Sequence, residues 1–186
     1  MKTFIYFAYG SNMLTEWLQD RCQSAQAIGV AFAAGYDLEF SKRSNDKSGK
    51  ATLVEVPQIR RQAYGVLFKI GNSDLCALDR AEGNGRGYNR FDNFSVTVLP
   101  DTQVTTYIAS ARAVDDSLKP YDWYLALVIC GAIQHKLPES YITSLRNIAF
   151  ISDPNPNRKT RKDAINALGR ASVSDYTKIL SSHDTS

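Results

Sequence analysis

The sequence predicts an α+β fold: a small, barrel-like, mostly antiparallel or mixed β-sheet flanked by α-helices. Three observations point there. Short segments with strand-like alternation fill the chain as far as Pro120. Beyond it the apolar residues recur at helical spacing. The strand-rich part also lacks the regular strand–helix alternation that a doubly wound parallel sheet needs.

Phe4 to Tyr9 reads as a short apolar strand. MLTEWLQDRC carries Leu14, Trp17, Leu18 and Cys22 at helical spacing, with Asn12 placed to cap it. Residues 25–40 are small and apolar with glycine interruptions, as in one or two strands with a bend, and SKRSNDKSGK is a polar loop. ATLVEV and AYGVLFKI read as a hairpin across PQIRRQ. NSDLCALDRAEG is a short helix, capped by Asn72 or Ser73, with Gly83 just past its end. YNRFDNFSVTV and QVTTYIASA form a second hairpin around Pro100 and Asp101. DWYLALVICGAIQHKL is a strongly apolar helix, and PESYITSLRNIAF a second, opened by Pro138. SDPNPN is a linker, TRKDAINALGR a weak amphipathic helix, and the remainder a polar, frayed tail. The expected organisation is one domain over 1–151 and a basic, partly helical extension over 152–186.

Bulk properties exclude several classes. The 186 residues are 44% hydrophobic and 22% charged, enough to bury a core. No run approaches the roughly 18 apolar residues of a membrane span, and the N-terminal segment does not read as a signal peptide. Cys22, Cys76 and Cys130 are far apart and odd in number, as expected of reduced thiols in a cytoplasmic protein. The net charge of +3 sits in residues 158–186, which hold six Lys/Arg against three Asp. NRKTRK can meet an acidic partner or simply face solvent, and no nucleic-acid partner is expected.

The available chemistry is narrow. No GxxxxGK[ST] is present, and YGSN lacks the further glycines of a dinucleotide fingerprint. His135 and His183 are the only histidines; neither has metal-ligand company, so no metal site and no Ser-His chemistry are expected. His135 falls where a helix C-terminus would favour its charged form. One carboxylate stands out: Leu75, Leu78 and Glu82 share a helix face, so inward leucines turn Glu82 inward as well. It must then be paired, with Arg86 or Arg90 as structural partners, or carry a raised pKa suited to function. FAYGSN, residues 7–12, breaks from strand to helix. Such a junction suits a carboxylate or phosphate, or is an ordinary glycine turn with Asn12 as cap.

Taken in order, FAYGSN, LDRAEG with GYNR, and Tyr124 seven residues before Gly131-Ala132 resemble the gamma-glutamylcyclotransferase family across roughly residues 3–149. The resemblance implies a small mixed fold with a barrel-like sheet and Glu82 as general acid/base. It implies a substrate cradle from Tyr6, Phe7, Ala8, Tyr9, Gly10 and Ser11 with Asn12 beside it, and a substrate-contacting hydroxyl on Tyr124. The reaction implied closes a gamma-glutamyl group to 5-oxoproline and releases the attached amine; it needs no metal or organic cofactor. The partner implied is a small gamma-glutamyl compound, such as a gamma-glutamyl amino acid, a glutathione-like peptide or an amine, acted on by a monomer or homodimer. Selectivity is expected in SKRSNDKSGK and NGRG, where Arg43, Arg86 and Arg90 either meet an acidic leaving group or face solvent. A binding or regulatory module on the same fold, its basic tail on an acidic partner, and a gamma-glutamyl acyltransferase are the alternatives.

Overall fold

Strand β1 (Thr3–Ala8) runs through the middle of a five-stranded sheet. The computed structural model describes residues 2–57, 60–97 and 103–181. The other strands are β2 (Gln26–Ala34), β3 (Tyr36–Arg43), β4 (Gly49–Glu55), β5 (Gln62–Gly71), β6 (Tyr88–Phe94) and β7 (Val104–Ala109). The sheet order is β2-β5-β1-β7-β6, antiparallel at every pairing except the parallel β1–β7 contact. Strands β3 and β4 form a separate two-stranded ribbon. The mixed α+β architecture is the expected one, but the sheet stays open: β2 and β6 are its two ends, and no closed barrel forms among the described residues.

Two local expectations change. ATLVEV and AYGVLFKI are both strands, yet they do not pair. β4 pairs with β3 across a turn in which Ser44 N–H donates to the Ser48 carbonyl at 3.1 Å, and β5 is taken on both sides by β2 and β1. Alternation shows that a strand has a buried face, but it does not name the partner. Asn12 caps no helix: it lies buried in a 3-10 turn, Ser11–Met13, ahead of the short α1 (Thr15–Gln19). The other hairpin forms as β6–β7, while its turn at Pro100 and Asp101 lies outside the described residues.

The core helix is α3 (Asp122–Gln134), in which every residue from Trp123 to Ala132 is buried. It comes so close to the chain after β1 that a Cβ on Gly131 would stand 2.5 Å from the Leu14 nitrogen and 2.6 Å from the Met13 carbonyl carbon. His135, at the end of α3, is hydrogen-bonded to Thr15 at 3.0 Å. Burial holds its pKa below 6.5, against the pull of Glu16 and a backbone hydrogen bond, so the dipole-favoured imidazolium expected here gives way to a neutral ring. His183 lies outside the described residues.

Helices α4 (Glu139–Arg146), α5 (Lys159–Arg170) and α6 (Tyr176–Ser181) pack against α3. The sequence pattern did not announce α6; its Tyr176, Ile179 and Leu180 are half-buried on the core. Most of the basic run is tied internally: Arg158 to Asp153, Lys159 to Asp163, and Arg161 to the Tyr176 hydroxyl. Among the described residues no helix is long and apolar enough to cross a membrane.

Asp153 fastens this region. Its buried carboxylate accepts from Trp123 Nε1 at 2.9 Å and from Arg158 at 2.7 and 3.1 Å. Burial alone would raise its pKa, but the hydrogen bonds from Arg158, the Asn155 N–H and Trp123 prevail and hold it below 3.8. Asp153→Ala is expected to cost about 2–3 kcal/mol by leaving the Trp123 donor unpaired. A carboxylate depressed by folding stabilises above its unfolded value and stops doing so as the pH falls through its folded value. The gap between native and variant in denaturant melts should therefore narrow once the pH drops below 3.8.

Candidate active site

Where β1 ends, the chain must pass beneath α3, and this places residues 9–12 at the edge of the ribbon. Gly10 is required by crowding: a Cβ there would lie 2.9 Å from the Ala51 Cβ and 3.5 Å from the Tyr124 hydroxyl. From the other side comes α2 (Leu75–Glu82). Leu78 is fully buried and sets the inward face, and Gly83 ends the helix in the left-handed region at φ 66°. Glu82, the last helical residue, is thereby delivered to the turn.

The Asn12 side chain bridges the two. Its Nδ2 donates to Glu82 Oε1 at 2.5 Å and to the Tyr6 hydroxyl at 3.1 Å. Five tyrosines, Tyr6, Tyr9, Tyr88, Tyr107 and Tyr124, close a small cavity of about 30 Å³ around this pair, completed by Gly10, Ser11 and Ala51. Their hydroxyls are held in place: Tyr9 donates to the Tyr107 carbonyl, Tyr88 to the Ala51 carbonyl at 2.6 Å, and Tyr107 to Asp79 at 2.8 Å. The Tyr124 hydroxyl accepts from the Ala51 N–H at 3.1 Å. Burial pushes Tyr124 up to about 12 despite the Ala51 hydrogen bond, and raises Tyr6, Tyr9, Tyr88 and Tyr107 as well, with the Glu82 charge adding to each. All five are neutral hydroxyls at physiological pH.

Neither structural arginine partner reaches Glu82. Arg90 is engaged by Asp79 at 2.6 Å and by Asp92. Burial raises the Glu82 pKa above 4.5; the Arg21 charge, the Asn12 hydrogen bond and the Lys42 charge oppose that rise without cancelling it. The result is a carboxyl that holds a proton more readily than a free glutamate does, while its neighbours still support the charged form.

Of the residues the sequence singled out, Tyr6, Tyr9, Gly10, Ser11, Asn12, Glu82 and Tyr124 come together around one cavity. Phe7 and Ala8 do not line it. Both are fully buried in the core, with Phe7 stacked on Phe94 at 6.1 Å, because strand alternation turns Phe7 to the face opposite Tyr6. Sequence reasoning missed Tyr88, Tyr107 and Ala51 as lining residues and the cations Arg21 and Lys42. Tyr88, within GYNR, was the one with a local signal. Among the described residues no group of three or more His, Cys, Asp or Glu converges as a metal site would require.

The model of the AIG2-like family matches residues 62–145, a span that includes Glu82 and Tyr124. The gamma-glutamylcyclotransferase of Bos taurus is 31% identical over 153 residues, 79% of each chain. That of Homo sapiens is 30% identical over 154 residues, again 79% of each. A solved gamma-glutamyl cyclotransferase superposes with a TM-score of 0.77 at 27% identity, covering 89% of this chain and 99% of the other.

The balance at Glu82 is measurable in solution. Carboxyl titration by ¹³C NMR, assigned against Glu82→Gln, should give a midpoint above 4.5. Arg21→Gln removes the largest opposing charge and should move that midpoint further up; an unchanged midpoint would show that Arg21 does not act on this carboxyl.

Proposed function

This chain belongs to the gamma-glutamylcyclotransferase family, and we propose that its tyrosine-lined cavity binds a gamma-glutamyl head group and closes it to 5-oxoproline, with Glu82 as the general acid/base. The observation that carries the reading is the Glu82 carboxyl itself, partly buried, hydrogen-bonded by Asn12 and raised in pKa at the mouth of a cavity lined by fixed hydroxyls.

In the substrate an α-ammonium and a side-chain amide lie one short turn apart. Glu82 as carboxylate takes a proton from the ammonium, and the freed nitrogen attacks the δ-carbonyl carbon. The new N–C bond closes the five-membered ring while the carbonyl electrons move to oxygen. When the carbonyl re-forms, the old C–N bond breaks, and the proton on Glu82 passes to the departing nitrogen. The second proton lost by the attacking nitrogen ends on the released amine, leaving a neutral lactam and an ammonium. The nucleophile belongs to the substrate, so holding it in the folded conformer supplies much of the acceleration.

Residues 10–12, with their backbone N–H groups, are suited to the α-carboxylate or the developing oxyanion, and the neutral Tyr124 hydroxyl to the same anion. Asn12, already bonded to Glu82 and Tyr6, sets the direction of the carboxylate. A carboxyl raised by its surroundings suits both halves of the proton transfer. Cys22, Cys76 and Cys130 form no disulfide, which supports a cytoplasmic setting for the reaction.

Mass spectrometry of products tests this. Native protein incubated with gamma-glutamyl amino acids, glutathione and gamma-glutamyl amines should release 5-oxoproline. Glu82→Gln should lower turnover by about 10²–10⁴-fold, the usual share of a general acid/base, with its melting temperature retained. Near-native turnover in the variant would remove Glu82 from the mechanism.

A further inference from the structure

Glu82 also lines a second space beside the small cavity. This groove of about 950 Å³ is lined by Lys42, Arg43, Arg80, Arg86 and Arg112, with Glu82 the single acid along its walls. The five cations arrive from separate places: Lys42 and Arg43 from the end of β3, Arg80 from α2, Arg86 from the turn after it, and Arg112 from the 3-10 turn Ala111–Ala113. These include both segments in which selectivity was expected, SKRSNDKSGK and NGRG.

Only Arg43 has an acidic ion-pair partner among the described residues, Asp115 at 3.6 Å. Lys42 is fixed in place, its Nζ 4.8 Å from the Tyr88 ring centre and its chain against Gly87, where a Cβ would meet Cε at 2.9 Å. The body of the chain outside residues 158–186 is close to neutral, so this concentration of positive charge is local. The volume is that of a small-molecule site, and an arginine can grip a carboxylate with two parallel hydrogen bonds.

Resting on the function proposed above, we infer that this groove receives the leaving group and selects gamma-glutamyl compounds whose amine part carries two carboxylates, as an acidic amino acid or a short acidic peptide does. Lys42, next to Glu82, meets the carboxylate nearer the scissile bond, and Arg80, Arg86 and Arg112 meet the second. The fields of these residues also steer such a substrate into the site.

The test compares γ-glutamylethylamine, γ-glutamylalanine and γ-glutamylglutamate, which carry none, one and two carboxylates on the leaving side. At low ionic strength kcat/KM should rise by about threefold or more at each step, and the steps should shrink at high salt. The double variant Arg86→Glu/Arg112→Glu should lose about tenfold on γ-glutamylglutamate and less than about twofold on γ-glutamylethylamine. Equal kcat/KM for γ-glutamylalanine and γ-glutamylglutamate, or equal losses across the series in the double variant, would overturn the inference. Calorimetric binding of γ-glutamylglutamate to Glu82→Gln, with and without the double charge reversal, separates the two readings. If no substrate is turned over but salt-sensitive binding is seen and lost on charge reversal, the groove stands and the proposed reaction falls. If neither turnover nor binding is seen, both fall.

Discussion

The close approach of α3 to the chain leaving β1 is the constraint on which the rest of the molecule depends. Gly131 lets the helix come down on Met13 and Leu14 with no side chain between them. The same contact continues at the helix end, where Gln134 accepts from the Thr15 N–H at 3.0 Å and His135 bonds the Thr15 hydroxyl. Backbone pressed against backbone leaves residues 10–14 little freedom, and Asn12 and Tyr124, one on each side of that contact, inherit its rigidity. An added methylene at such a junction would force a shift rather than find space. Because α3 is buried along its length from Trp123 to Ala132, the turn after β1, α4, α5 and α6 all pack on it.

On that rigid base a carboxyl is kept in an expensive place. Burial disfavours the charged form of Glu82, while Arg21, Asn12 and Lys42 favour it. Burial prevails because the cations act at a distance and make no ion pair with Glu82 among the described residues. A direct salt bridge would have fixed the carboxylate as an anion, and a fully apolar pocket would have fixed it as an acid. The tyrosines are held by backbone carbonyls, by a backbone N–H and by Asp79, so the floor of the cavity is set before any ligand enters.

Charge is distributed on the same plan. In the C-terminal segment the basic residues Arg158, Lys159, Arg161 and Arg170 are taken up by Asp153, Asp163, Tyr176 and Asp20, within α5, between α5 and α6, and between α5 and the body. The cations that line the groove beside Glu82 are, apart from Arg43, without acidic ion-pair partners among the described residues. A count of charges along the chain points to the tail; their spatial pairing points to the site.

What the sequence by itself determined is what short-range physics encodes. The spacing of Leu75, Leu78 and Glu82 turned the glutamate inward, Gly83 ended its helix, and the apolar run after Tyr121 could only be a core helix. The break at YGSN marked the turn at the end of the first strand. Only the tertiary structure decided that β4 pairs with β3 and β5 with β1 and β2, since alternation marks a buried face and leaves the partner open. It also gave Asn12 to Glu82 instead of to a helix end, sent Phe7 into the core, and brought Tyr88, Tyr107, Arg21 and Lys42 around one carboxyl. Those residues come from segments far apart in the chain. Their meeting is set by how the layers pack, which no local pattern records.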